Sequence, residues 1–458
     1  MAVAAHRFPI ARQWRLVRNA THRLSWGIAD QGMSSLTNFL LSAFVARSLG
    51  AAQFGAFSLA YVTYGFAINA SRGLAIEPLL IRFSTTSLPT WRRATAGATG
   101  TALVVGLVGG ILGLAVAPLI GGTTGQAFLA LGLTLPGLLL QDSWRYAFFA
   151  LGKGQHAFIN DAVWAAVQIP ALVLLKVTGH GQVFWFVLAW GGAAGVGAVV
   201  GSLQAKVLPS LTSAAQWLAR HRDLGPRYLV ENTGTNSVAM LRSYSVTSIL
   251  GLSAVGDIQA ASVLLGPFNI ILFGVSIITI PEGARVLRNS PHRFPLFCAA
   301  VSTGLVLLAV PWTVGLLIAM PHGLGQLMLG NLWRAAYPLV IPTSLAVMAS
   351  CAATGANLGL HALGAARRSL RGVLLTAGLV LVSGIVGALL AGTEGTLYFT
   401  VAAAWVGNGI CWWQLRQALH ETPQVSVPIW LLPGKAGHRQ GGAAESAASE
   451  QVAAGEKA

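Results

Sequence analysis

The stretch Leu49-Gly50-Ala51-Ala52-Gln53-Phe54-Gly55 returns 201 positions later as Leu250-Gly251-Leu252-Ser253-Ala254-Val255-Gly256, and upstream of it Asp30-Gln31 returns as Glu231-Asn232. An acid, an amide and a glycine-bounded turn therefore recur in one order. Each copy opens a hydrophobic stretch long enough to cross a bilayer at about 20 residues per helix, so the chain reads as two membrane-embedded halves of about six helices each. An even number of crossings gives both halves the same orientation. Such parallel repeats place a substrate path in the cleft between the lobes.

Composition agrees with this reading. With 54% hydrophobic and 9% charged residues and a mean hydropathy of +0.66, the 458 residues carry too little polar surface to solvate a water-soluble globule. The net charge of +16 does not indicate nucleic acid, because the Arg and Lys residues are scattered between apolar spans without a basic, aromatic-studded domain. Cys298, Cys351 and Cys411 fall inside apolar runs without metal-ligand spacing, and they read as packing residues. No metal set and no catalytic set is expected. The segment carrying Arg7, Arg12, Arg15, Arg18 and Arg23 precedes a span too long and too polar for a cleavable signal core, so it reads as a retained basic arm.

Crossings are expected near 26–48, 53–78, 95–120, 125–149, 157–178, 183–206, 228–250, 257–281, 295–320, 334–358, 372–392 and 396–416. If the amino terminus is cytoplasmic, the inner segments hold the arm, Arg82/Arg92/Arg93, Lys153, Lys206/Arg220/Arg222/Arg227, Arg285/Arg288/Arg293 and Arg367/Arg368/Arg371, while the outer side keeps Arg47, Lys176 and Arg334. The positive-inside rule thus predicts an all-α polytopic membrane protein of about twelve transmembrane helices in two parallel six-helix lobes, with both termini cytoplasmic. The expected divisions are a basic arm at 1–24, an N-lobe at 25–206, a cytoplasmic linker at 207–227, a C-lobe at 228–416 and a cytoplasmic, mostly disordered tail at 417–458. The linker, with Trp217, Arg220 and Arg222, is a candidate interfacial helix. Pro428-Ile429-Trp430-Leu431-Leu432 either touches the headgroup region or is a plain connector.

A charge at bilayer depth costs at least about 2.5 kcal/mol and should face a partner or a wet cavity. Arg242 lies near the middle of the seventh span with no acid within four residues, which makes it the leading candidate for an anion contact; a salt bridge to another helix is the alternative. Arg72, near Asn69 and Ser71, serves either a functional or a structural role. Asp142 and Arg145 are three residues apart on one helix face, so they are expected to neutralise each other, with Arg145 as a further substrate candidate. Arg47, beside the first repeated turn, either receives an anion or snorkels to the interface. Asp30 and Glu231 occupy matching positions and are read as helix-terminus acids, a latch between lobes, a gate bridge to Arg72 or Arg145, or an ion-coupling site; Glu77 and Asp161 pose the same choice at lower rank.

The run Asp30-Gln31-Gly32-Met33-Ser34-Ser35-Leu36-Thr37-Asn38-Phe39-Leu40-Leu41, followed by Val45-Ala46-Arg47-Ser48-Leu49-Gly50 and Phe54-Gly55-x-Phe57-Ser58-Leu59-Ala60-Tyr61, resembles the start of bacterial polysaccharide or O-antigen flippases of the multidrug/oligosaccharidyl-lipid/polysaccharide (MOP) exporter superfamily, whose fold is MATE-like. The resemblance is clearest over 26–85. It implies flipping of a polyprenyl-pyrophosphate-linked saccharide from the inner to the outer leaflet of the bacterial cell membrane by alternating access, around a cationic cavity that Arg72 and Arg242 match as residue types. The lipid II flippase branch departs from this plan, having fourteen spans. No resident cofactor is implied; coupling to H⁺ or Na⁺ stays open, as does pairing with a polysaccharide polymerase or glycosyltransferase. A pyrophosphate calls for arginine, which keeps its charge at low polarity. The sugar would rest on amide, hydroxyl and aromatic groups, for which Asn38, Asn69, Tyr61, Tyr64, Asn236 and Tyr244 are the candidates.

Three other readings compete. A drug/cation antiporter of the same superfamily would share the fold and show cavity acids in place of arginines. A major-facilitator transporter would carry a Gly-Arg-rich loop after span two, and Arg82-Phe83-Ser84-Thr85-Thr86-Ser87-Leu88-Pro89-Thr90-Trp91-Arg92-Arg93 is not one. A membrane glycosyltransferase or polymerase would need acids at the membrane face, where the outer side has little beyond Asp257 and Glu394.

Overall fold

The computed structural model describes residues 10–421 except Thr85, and within that range it leaves undescribed the side chains of residues 10–24, Glu231, Thr235, Asn236, Phe273, Ser276–Ile278, Ile280, Pro281 and Ala366. The first helix, α1 (Ile10–Ser48), is followed by α2 (Ala51–Ser71), which runs through a π-turn at Arg72–Ile76 into α3 (Glu77–Phe83). Then come α4 (Leu88–Ile120), α5 (Gly122–Ala150), α6 (Gly154–Val177) and α7 (Val183–Ala205). A short helix, α8 (Leu211–Arg220), leads to α9 (Gly225–Leu250), α10 (Leu252–Leu264), α11 (Gly266–Asn289) and α12 (Phe294–Ala319). Two stubs, α13 (Gly325–Leu329) and α14 (Trp333–Ala336), precede α15 (Val340–Ala362) and α16 (Ala366–Glu421).

These elements make twelve rods. α2 and α3 form one rod through the π-turn, α10 and α11 form another bent by 53° at Leu265, and α16 is two rods separated at Ala391-Gly392, where Gly392 takes φ +64. Among the described residues, seven stretches, or eight with the bent pair, are long and apolar enough to cross a bilayer. α1, α2 and α9 are not among them, because they carry the acids, amides, hydroxyls and arginines that a lipid-facing helix could not hold. The expected basic arm is in part helix, since α1 starts at Ile10. Of the expected tail, 417–421 is helical as the end of α16, and the Glu421 carboxylate pairs with Arg368. Residues 1–9 and 422–458, with the proposed headgroup segment 428–432, lie outside the described residues.

The repeat that opens the sequence is where the lobes touch. A methyl group on Gly55 would lie 2.0 Å from the Leu252 carbonyl oxygen, and one on Gly256 would lie 2.1 Å from the Ala51 carbonyl oxygen. The two contacts are related by the same 201-residue offset as the sequence, so α2 and α10 cross on their equivalent glycines. Lipid tails are as apolar as leucine, and such backbone approach therefore supplies the van der Waals contact that holds helices together in a membrane. A buried apolar cluster containing Leu41, Val45, Phe54, Ala260, Leu264 and Leu329 continues this seam across both lobes. Arg47 joins it, donating from Nη1 to the Leu327 carbonyl at 3.0 Å.

α2 and α9 also close at the opposite, basic end. A methyl on Gly73 would sit 2.5 Å from the Leu229 backbone nitrogen. Here α8 packs inward: buried Trp217 donates its indole N–H to the Leu74 carbonyl of the π-turn at 3.2 Å. His221 lies 4.1 Å from the Trp217 ring, and Arg82 pairs with Asp223. The predicted linker helix thus exists, but its tryptophan serves as an interior wedge.

Two outcomes follow from this end of the bundle. Gly73→Ala should hold it open, so a cysteine placed at Ser34 should react with an impermeant maleimide several-fold faster than in the Gly73 parent; the three native cysteines are buried, and equal reactivity would refute the closure. Burial holds the His221 imidazole below its ordinary 6.5, opposed by the Trp217 carbonyl bond. The unfolded chain then binds the proton more readily than the folded one, so stability is full above 6.5 and falls as pH drops. Melting of the wild type should decline between neutral pH and about pH 5.5 more steeply than melting of His221→Gln.

Candidate functional site

Two polar clusters lie at membrane depth, one in each lobe. In the first, α1, α2, α5 and α6 enclose a cavity of about 200 Å³ lined by Asn38, Tyr64, Arg72, Asp142, Arg145 and Asp161, among others. Arg72 grips Asp142 with two parallel bonds, Nε to Oδ2 at 2.9 Å and Nη2 to Oδ1 at 2.7 Å. Arg145 closes on Asp30 at 2.6 Å, reaches Asp161 at 3.4 Å and donates to the Gln31 side-chain oxygen at 3.2 Å. The Tyr146 ring lies 4.9 Å from the Arg72 guanidinium and 5.9 Å from that of Arg145. Gln141 donates to Asn160 and Asp161, and Asn160 donates to the Gly197 carbonyl, so α5, α6 and α7 are cross-tied behind the acids.

The expected Asp142–Arg145 pair is therefore corrected: the two residues share a face of α5, yet each is taken by another helix. Fork-to-carboxylate geometry with α2 gives Asp142 two direct bonds to Arg72, which a neighbour three residues along its own helix does not match. Arg72, left open by its sequence between a functional and a structural role, is engaged by that acid. Asp30 bridges to Arg145 as one reading anticipated, but the bridge runs from α1 to α5 within one lobe, so it is not a latch between lobes. Three carboxyl groups thus face two guanidiniums in this cluster; Asp30 Oδ1 is buried without a hydrogen-bond partner, and Asp161 Oδ2 has none beyond the 3.4 Å approach of Arg145.

The second cluster is a pocket of about 300 Å³ in the other lobe, lined by Arg242, Ser350, Asn357, Thr376 and Asn408 among apolar neighbours. Gly384 lets the Arg242 stem lie against α16: a methyl there would be 3.2 Å from both Arg242 Cδ and Thr400 Oγ1. Among the described residues Arg242 has no ion-pair partner. Asn357 Oδ1, Asn408 Oδ1 and Thr400 Oγ1 are buried with no hydrogen-bond partner. An unpaired guanidinium beside unsatisfied amides, with room for several heavy atoms, has the chemistry to hold a polar anionic group.

The remaining candidates separate as follows. Asn38, Tyr61 and Tyr64 line the first cavity. Asn69 donates back to the Gly65 carbonyl of its own helix and is not among the lining residues. Tyr244 shares a 2.7 Å hydrogen bond with Thr63, joining the lobes at mid-depth rather than lining either pocket. Glu77 begins α3 directly after the π-turn. The side chains of Glu231 and Asn236 lie outside the described residues. Gln141, Asn160, Asn357, Asn408 and Thr400 escaped the sequence reading because a polar residue inside an apolar helix carries no local signal of what it faces.

The cluster yields a stability outcome. Asp142→Asn strands a largely buried guanidinium and should cost about 3 kcal/mol, read as a lower melting temperature in detergent. Arg72→Gln combined with Asp142→Asn should recover most of that loss.

No family model and no curated relative matches the sequence. Solved structures do. The fold is similar to a multidrug resistance MATE family transporter of the MOP superfamily in an inward-facing conformation, with a TM-score of 0.60 at 13% identity over 86% of this chain and 96% of that one. It is also similar to the lipid II flippase MurJ in an inward closed conformation, with a TM-score of 0.66 at 12% identity over 87% and 89%. A MATE crystal structure in the straight conformation aligns with a TM-score of 0.53 at 13% identity. The chain is a multi-pass membrane protein with the fold of these transporters, in two parallel six-helix lobes.

Proposed function

We propose that the chain flips a polyprenyl-pyrophosphate-linked saccharide across a bacterial cell membrane for surface polysaccharide biosynthesis, with its basic end and both termini in the cytoplasm. The observation that carries this reading is the state of Arg242: a guanidinium at bilayer depth, lining a pocket, with no acid on it among the described residues. A site for a cationic drug would leave carboxylates free and arginines engaged. Here the N-lobe acids hold Arg72 and Arg145 with one carboxyl group to spare, while the C-lobe pocket carries a positive charge that no acid holds among the described residues. Asn357, Asn408 and Ser350 supply donors and acceptors for sugar hydroxyls around it.

Alternating access would work through the seam described above. α2 meets α10 on Gly55 and Gly256 at one end and α9 on Gly73 at the other, so opening either end means parting a glycine-mediated backbone contact while the other holds. The Thr63–Tyr244 bond lies between them. The excess negative charge beside Arg145 favours retention of one H⁺ or Na⁺ in the N-lobe, since an unbalanced charge in low dielectric is costly. Asp30 and Asp161 would then be the coupling residues. That same excess charge is the one feature favouring the second reading, a drug/cation antiporter.

In proteoliposomes carrying a fluorescent polyprenyl-pyrophosphate saccharide, Arg242→Ala should slow leaflet exchange at least about tenfold, the size of one charge-assisted hydrogen bond lost, with unchanged melting. Arg242→Lys should retain part of the rate, because it keeps the charge without the fork. Full exchange in Arg242→Ala would remove the residue from the path. Export of a cationic dye that needs Asp30 or Asp161 and ignores Arg242 would establish the antiporter instead.

A further inference from the structure

Outside the transport path, a third pocket of about 220 Å³ sits where α4, α5, α6 and α7 end at the basic face of the first lobe. Its walls bring together Arg92 from α4, Lys153 from the α5–α6 turn, His156 from α6 and Lys206 from the end of α7, with no carboxylate among the lining residues. None of the three cations has an ion-pair partner among the described residues. His156 Nδ1 is buried without a hydrogen-bond partner. The floor is apolar, built from buried Trp91 and Phe148.

Two details separate this pocket from a general surplus of inner-face charge. Lys206 occupies the left-handed region at φ +53, the one such non-glycine position among the described residues. Glycine would serve that helix cap with less strain, so a lysine there is kept at a cost in stability. The pocket, in addition, has apolar and open surroundings: Leu88 lines it at 45% exposure, and Leu203 and Leu208, near Lys206 in the chain, are exposed at 70% and 79%. Cations above an apolar rim at the end of a bundle match a phosphate attached to acyl chains better than a free anion.

We propose that this pocket binds the phosphodiester headgroup of an anionic phospholipid, with Arg92, Lys153 and Lys206 on the phosphate and the leucines along the chains. The site is separate from both polar clusters and does not depend on what the transporter carries. Bound lipid would tie the ends of α4 to α7 into one body, bracing the first lobe as it rocks.

The test uses the full chain in nanodiscs of phosphatidylcholine with a minor share of phosphatidylglycerol, and counts retained lipids by native mass spectrometry. Wild type should retain phosphatidylglycerol preferentially. Lys206→Gly, which relieves the left-handed strain and so keeps the fold, should weaken retention about fivefold, and adding Arg92→Gln and Lys153→Gln about a hundredfold, taking about fivefold per cation near an anionic surface. The control Arg285→Gln/Arg288→Gln/Arg293→Gln, an equal loss of charge elsewhere on the basic end, should leave retention unchanged. The proposal fails if wild type shows no preference, if the control loses as much as the pocket variant, or if millimolar inorganic phosphate displaces the lipid, which would make the pocket a free-anion site.

Discussion

A charge inside a bilayer must be answered by another group, and the way this chain answers each of its buried charges organises everything else. Arg72 and Arg145 are each answered by acids from other helices, Asp142 from α5 and Asp30 from α1. Those bonds do more than neutralise. They fix α1 and α2 against α5, and with Gln141 and Asn160 they extend to α6 and α7, so the first lobe is braced by polar ties where lipid offers no hydrophobic drive for helix association. Arg242 receives no such answer among the described residues. The two lobes thus differ: in the first every buried arginine is held by acids, while in the second Arg242 is not.

The contact between the lobes obeys a different rule. It is made where side chains are missing, at Gly55, Gly256 and Gly73, so backbones meet directly and a single methyl would separate them. Contacts of this kind are close, short-ranged and nearly free of polar bonds. The π-turn beside Gly73 adds one residue to α2 at the point where Arg72 leaves it, and the Leu74 carbonyl of that turn accepts the Trp217 indole. The linker therefore senses the same stretch of α2 that carries the Arg72–Asp142 bond, and closure at the basic end and order in the N-lobe cluster share one segment of helix.

Legibility in the sequence divides along physical lines. The spans could be read because insertion into lipid is decided segment by segment, and the lobes because the repeat Leu49-Gly50-x4-Gly55 is local. Gly55 and Gly256 were legible as equivalent positions, but nothing in the sequence said that they meet. The Asp142–Arg145 pair shows where local reasoning failed: helical spacing says which residues share a face, while partnership depends on what the neighbouring helix presents. Asp161, ranked low by its position near a helix start, sits against Arg145, and Asn357 and Asn408 gave no signal at all.

The amino-acid sequence by itself determined that the chain lives in a membrane, that it is two equivalent halves, and that a handful of charges must be sheltered, because hydropathy, repetition and the cost of a buried charge are properties of each segment taken alone. Only the tertiary structure decided which of those charges are spent on one another and which is left without an acid. Ion pairing across helices acts over a few ångströms between residues separated by tens to more than a hundred positions in the chain, as with Asp30 and Arg145. Only folding brings such residues within reach.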